Sequence, residues 1–158
     1  MSVHLMSGDE LKTITALRAV KQLHDLDKSY LQKLASIATV VEFAEGQIIH
    51  RAGDLGQAIY VIETGQVNIE VEVGNQKPVT VLTVGPGQLF GLSSLFPPQR
   101  KKGTARVVQP TRAIVIDSQK LRHLLASNHA LERDFMIRVA QIINERVKAT
   151  WLELAKRS

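Results

Sequence analysis

Ala58-Ile-Tyr-Val-Ile-Glu-Thr-Gly-Gln-Val-Asn-Ile-Glu-Val-Glu-Val73 holds two short runs of strand-forming residues on either side of Gly65. In the second run Val67, Ile69, Val71 and Val73 alternate with Asn68, Glu70 and Glu72, the period of a strand with one face in a core and one in water. Working outward, runs rich in Val, Ile, Thr and Tyr recur at 40–43, 47–50, 79–84, 107–108 and 112–116. Nine of the ten glycines fall between or beside these runs, so the middle of the chain predicts many short strands joined by tight turns, a sandwich or barrel.

Both flanks change texture. Before residue 40, Leu11, Ile14, Leu17, Val20 and Leu23, then Leu31, Leu34 and Ile37, recur at helical spacing. Ser7 or Asp9 can cap the first helix and Asp27 the second. After residue 117, Asp117 is placed to cap a helix, Ser127-Asn128 breaks it, and a long helix is predicted from about 129 to 156. That helix carries two apolar stripes. Leu131, Phe135, Val139 and Ile142 form one, and Met136, Ile143, Val147 and Leu154 form another. One stripe can cover the barrel; the second predicts self-association through the helix. The expected organisation is a helical arm over 1–39, a β domain over 40–117 and C-terminal helices over 118–158.

Charge is sorted along the chain. Residues 40–72 hold Glu42, Glu45, Asp54, Glu63, Glu70 and Glu72 against Arg51 alone. From 73 to 116 there is no acidic residue, whereas Lys77, Arg100, Lys101, Lys102, Arg106 and Arg112 surround Gly87-Gln-Leu-Phe-Gly-Leu-Ser-Ser-Leu-Phe96. Glycines that open the backbone beside a cluster of cations predict an anion site.

Several function classes are excluded. Cysteine is absent, which removes disulfides, thiolate metal sites and cysteine nucleophiles. His4, His24, His50, His123 and His129 are scattered without metal-ligand spacing. Gly91-Leu-Ser-Ser-Leu95 lacks the closing glycine of a nucleophile elbow, and Lys102-Gly-Thr104 reverses the order of a phosphate-binding P-loop. The N-terminus has no signal-peptide pattern and no apolar run is of membrane-spanning length, so a cytoplasmic protein without membrane contact is expected. A net charge of +5 invites nucleic acid, but aromatic residues make up only 4% of the chain and do not interleave with the cations.

The order of parts, helices, glycine-punctuated strands, a Phe-Gly-x-x-x-Leu turn, a return strand and a long helix, resembles the cyclic-nucleotide-binding domain of the catabolite activator protein and protein-kinase regulatory subunit family. Gly46-Gln-Ile-Ile-His-Arg-Ala-Gly-Asp54, Ala58-Ile-Tyr-Val-Ile-Glu-Thr-Gly-Gln-Val67 and Val84-Gly-Pro-Gly-Gln-Leu-Phe-Gly91 carry the resemblance. It implies a mainly β fold: a β-roll (double-stranded β-helix, jelly-roll-like) with an N-terminal helical arm and a long C-terminal helix. Phe90, Gly91 and Leu95 match the first half of the family's phosphate cassette; Thr104, Ala105 and Val107 match the second. Leu92 stands where the family has a ribose-binding glutamate, followed by Ser93 and Ser94, and Gly103 stands where it has a phosphate-binding arginine. Arg100 can reach in if the turn beginning Pro97-Pro-Gln is extended, and Arg106 lies next to the cassette.

Losing an acid while keeping cations favours a ligand with two phosphates, and arginine matches guanine in bidentate fashion. The resemblance therefore implies a non-catalytic receptor whose ligand is expected to be cyclic di-GMP. Cyclic AMP or cyclic GMP, or a ligand-free scaffold, are the alternatives. Thr104 with Arg106, and Thr15 with Arg18, would make two similar clamps, and loss of Arg106 is expected to abolish most affinity. The expected partners are a regulatory protein such as a transcription factor and a second copy through the long helix. No helix-turn-helix follows that helix, so no specific DNA binding is expected.

Overall fold

The computed structural model describes residues 8–96 and 100–157. The alternative cap Ser7, the extended turn at Pro97-Pro-Gln99 and most of the N-terminal segment read for a leader lie outside the described residues, as does Ser158. Helix α1 (Gly8–Arg18), a 3-10 turn (Lys21–Leu23) and α2 (Lys28–Ser36) precede strands β1 (Ala38–Phe43), β2 (Ile48–His50), β3 (Ala58–Val71), β4 (Val79–Val84), β5 (Leu89–Phe90) and β6 (Thr104–Asp117). Helices α3 (Ser118–Ser127) and α4 (His129–Lys156) follow. Two caps form as read, Asp27 accepting from the Ser29 amide and Asp117 from the Lys120 amide, and Asn128, read only as part of a break, caps α4 by accepting from the Leu131 amide.

The strands make one antiparallel six-stranded sheet ordered β1-β6-β3-β4, with β2 added to β6 and β5 to β3. Two pairs of predicted strands are each one strand. The 58–63 and 66–72 runs join through Gly65, and 107–108 and 112–116 join through Pro110. Gly65 has φ +100°, a conformation glycine tolerates and side chains resist, and a Cβ there would strike Pro110 O and Thr111. It therefore bends the ribbon without ending it, and the β3–β6 register shifts at this point. This bend curls the sheet into a roll. The strand alternation is firm at Val67 (0% exposed) and gone at Val73 (59% exposed), where β3 has ended.

Two apolar cores result. Ile62, Val67, Val84, Phe90, Ala105, Val107 and Ala113 fill the roll, with Tyr60 stacked on Phe90 at 4.7 Å. A larger core lies outside, where Leu17, Leu23, Leu31 and Leu34 of the arm meet Ile59, Val61, Leu92 and the α4 stripe Leu131, Phe135, Val139 and Ile142. Each such side chain contributes roughly 1.5–3 kcal/mol when fully buried. The second α4 stripe has no cover of this kind: Ile143, Val147 and Leu154 are exposed.

The arm and α4 are also tied by polar contacts. Arg138 donates to Gln22 O at 2.8 Å, to Asp25 at 2.6 Å and to Asp134 at 2.8 Å. Gln22 Nε2 donates to Glu145 at 2.6 Å, and Lys21 lies 3.6 Å from the same carboxylate. The guanidinium of Arg138, through hydrogen bonding first and charge second, holds the Asp25 carboxyl below its ordinary range.

Candidate functional site

Phe90 ends β5, and the chain then turns sharply at Gly91, whose φ of +94° lies in the left-handed region. A Cβ at Gly91 would sit 2.5 Å from Ala58 O, so both conformation and space require glycine. The turn launches the 3-10 segment Leu92–Leu95. This segment, the end of β2, residues 100–103 and α4 enclose a cavity of about 390 Å³.

Its walls divide by chemistry. Ile69, Leu82, Phe90, Leu92, Phe96 and Ile143 supply apolar surface; Arg100, Lys101, Lys102 and Arg146 supply four cations; His50 and Ser93 complete the polar lining. No carboxylate lines it among the described residues. Cations without acids, on low-dielectric walls, make an electropositive pocket.

Lys101 is the innermost of the cations. It is 7% exposed, and its Nζ lies 3.3 Å from Ser93 Oγ. Among the described residues no carboxylate forms an ion pair with it. Gly56 makes room: a Cβ there would meet Ser94 Cβ at 2.9 Å and Lys101 Cε at 3.3 Å. Backbone bonds Lys101 N to Asp54 O (2.7 Å) and Gly53 N to Lys101 O (2.8 Å) fix the segment. Burial pulls the ammonium's pKa down.

Nearby, His50 faces the Phe90 ring with centroids 6.1 Å apart. Burial first, and the Lys101 charge second, lower its pKa to about 4 against smaller opposing effects of Asp54 and the Gly103 backbone. The imidazole is therefore neutral at pH 7. From α4, Arg146 bonds to Leu89 O at the cavity's edge, and burial lowers its pKa as well.

The structure brings Phe90, Gly91, Leu92, Ser93 and Arg100 to this cavity. The other residues read from the sequence lie elsewhere. Ser94 is 2% exposed and structural: its Oγ donates to Gly91 O, and its carbonyl accepts from Arg122. Leu95 is core, and Ala105 points into the roll. Thr104 Oγ1 accepts from the Ala52 amide. Arg106 alternates with inward-facing Ala105 and Val107, so it points out of the roll and pairs with Glu70 at 2.7 Å. Arg106, expected to anchor ligand, therefore lies outside this cavity's lining, with its charge matched by Glu70. Thr15 and Arg18 are exposed on α1; Thr15 is bonded to Leu11 O and lines a separate cavity with Pro86 and Gly87. The paired clamps do not form.

Sequence reading missed His50 and Arg146 at this cavity and took in Lys101 only as one of a cluster of cations. Lys101 sits in a run of three cations, and nothing in Arg100-Lys101-Lys102 says which side chain turns inward. His50 carried a signal in its place at the end of a strand-like run; Arg146 carried one only through Ile143, which it follows at i+3.

Among the described residues no helix is long and apolar enough to cross a membrane, and no cluster of three metal-ligating side chains is formed. Residues 40–128 match the cyclic nucleotide-binding domain family. The cyclic AMP receptor protein of Thermus thermophilus is 32% identical over 93 residues, which cover 58% of this chain and 39% of that protein. A CRP-like cAMP-activated global transcriptional regulator of Mycobacterium tuberculosis is 23% identical over 130 residues, covering 82% of this chain and 56% of its own. The chain thus spans about half the length of the curated relatives it matches, or less. A crystal structure of a cyclic nucleotide-binding domain from Methylobacillus flagellatus has the same fold, with TM-score 0.82 and 22% identity over 99% of this chain and 89% of that one. With a glycine-launched cassette turn on a curled antiparallel sheet and this match over most of the roll, the chain belongs to the cyclic nucleotide-binding domain family.

Proposed function

We propose that the protein is a non-catalytic receptor for cyclic di-GMP that signals through protein contacts. One observation carries the reading: among the described residues, the cavity at Gly91 presents four cations and no carboxylate. A ligand with one phosphate leaves most of that charge unmatched, whereas two phosphates match it better. The forked guanidinium groups of Arg100 and Arg146 suit a guanine edge. At about 390 Å³ the cavity is of ordinary ligand size, near the lower end of roughly 300–1,000 Å³. The second half of a dinucleotide would extend toward exposed Arg100 and Lys102.

A thermal-shift screen against cyclic AMP, cyclic GMP and cyclic di-GMP tests this. Ligand at about 100 times its Kd adds about 2.7 kcal/mol, and in a chain of this size each kcal/mol moves Tm by roughly 2–4 °C. Cyclic di-GMP is expected to give the largest rise. A larger response to cyclic AMP would favour a receptor with an atypical cassette. No response to any of the three would favour a ligand-free scaffold, a reading supported by the burial of Leu92 against the α4 core.

Ile143 and Arg146 place α4 at the cavity wall, so occupancy would bias that helix. The exposed α4 positions Ala140, Ile143, Val147, Thr150 and Leu154 continue a four-three spacing from half-buried Met136, the seam of a coiled coil. The reading therefore includes a homodimer through α4, with a regulatory protein such as a transcription factor as the downstream partner, in the cytoplasm. Val147→Glu would put like charges across that seam and is expected to convert the dimer to a monomer in light scattering. An unchanged mass would remove α4 as the interface.

A further inference from the structure

Two polar side chains at the cavity have unmet hydrogen-bonding capacity. Lys101 has three N–H donors and one partner among the described residues, the Ser93 hydroxyl at 3.3 Å. His50 Nδ1 is buried and has none among the described residues, the ring's other contact being with the Gly103 backbone. Both belong to the lining of the same cavity, one on β2 and one on the segment before β6.

Resting on the reading of this cavity as an anion site, we propose that His50 and Lys101 together hold one anionic oxygen of the ligand's phosphate, and that His50 takes up a proton as the anion enters. The charges around the ring favour such a step. Lys101 repels the imidazolium and Asp54 attracts it, but Asp54 is already engaged by the Arg51 amide at 2.8 Å. Arg100 and Lys102 on the same segment, and Arg146 from α4, add positive charge to the cavity. On β6, which pairs with β2, Arg106 is matched by Glu70. The free site therefore repels a proton. An anion between the two side chains offsets the lysine's repulsion and accepts a hydrogen bond from the protonated ring, which reverses that balance.

The sign follows from linkage. In the free protein His50 binds a proton only near pH 4. If the bound form recovers even the ordinary histidine value of about 6.5, affinity rises as pH falls, by about tenfold from pH 7.5 to 5.5, and levels off once pH is below both values. Uptake at the ring distinguishes this anchor from a lysine acting alone, which would leave the His50 signals unmoved.

The test follows the histidine ring signals of the full chain by NMR, with His50 assigned from His50→Gln, using sulfate and cyclic di-GMP as probes. Neither probe changes its own phosphate or sulfate charge over this pH range. The expected result is a His50 pKa that moves up with probe, affinity about tenfold higher at the lower pH, and no such pH dependence in His50→Gln. Calorimetry in two buffers of different ionisation enthalpy should report the proton taken up. A His50 ring that stays neutral with both probes, or binding equally tight at both pH values, overturns the proposal. Cyclic di-GMP binding without a His50 response overturns the proton uptake and leaves the receptor reading standing. A His50 response to sulfate with none to cyclic di-GMP supports the anchor and overturns the dinucleotide reading.

Discussion

Replacing Lys101 by methionine is expected to weaken cyclic di-GMP binding by about a hundredfold while raising Tm. A charge-assisted hydrogen bond to phosphate contributes about 1.5–3 kcal/mol, and a hundredfold corresponds to about 2.7 kcal/mol. The gain in stability has a separate origin. A lysine that is 7% exposed as a residue and has no carboxylate partner among the described residues destabilises the fold through desolvation, whereas methionine fills similar space with apolar atoms. Removal should recover about 1 kcal/mol or more, as replacement of buried charges by apolar groups does elsewhere. Calorimetry for Tm and titration calorimetry for affinity check both halves. Lower stability with unchanged affinity would make Lys101 a strut of the 100–103 segment and not a ligand anchor.

Leu92→Glu restores the family's acid in name only, and is expected to destabilise the protein by about 3 kcal/mol or more. Leu92 is 7% exposed and packs in one core with Phe135, Val139 and Ile142. A carboxylate placed there loses the leucine's burial, and the cations of the adjoining cavity offset only part of its desolvation. The new group's folded pKa would be raised above its unfolded value. The variant should therefore be closest to the parent at pH at or below about 4, where the acid is protonated in both states, and should fall behind as pH rises. Urea unfolding at acidic and neutral pH measures this. A variant as stable as the parent at pH 7, and able to bind cyclic AMP, would show that the leucine merely closes an otherwise ordinary pocket. The missing arginine is no easier to restore, because a Cβ on Gly103 would already lie 2.8 Å from Ile69 Cγ2 and 3.0 Å from Glu70 O. The departure from the family's cassette is thus built into the packing on both sides.

The fold was legible because its signals are local. Glycine turns, the valine and isoleucine alternation around Val67, and the caps Asp27 and Asp117 each depend on a few neighbouring residues. The α4 boundaries followed from the break at Ser127-Asn128 and its 3.6-residue apolar period. What failed depended on distance along the chain. Gly65 reads as a strand end until Thr111 is seen against it, and the two-residue β5 has too little sequence to announce itself. The site residues that the structure places away from the cavity share that cause. Arg106 stands beside the cassette in sequence, but strand alternation turns it toward Glu70, 36 positions earlier. Lys101 turns inward because Gly56 leaves room beside Ser94, a packing relation that no local pattern encodes.

Arg138 spans three anchors at once, the Gln22 carbonyl, Asp25 and its own helix neighbour Asp134, while Glu145 two turns on holds Gln22 and Lys21. The two ends of the polypeptide are consequently geared together. A quarter-turn of the last helix must drag the first segment with it or shear four polar links.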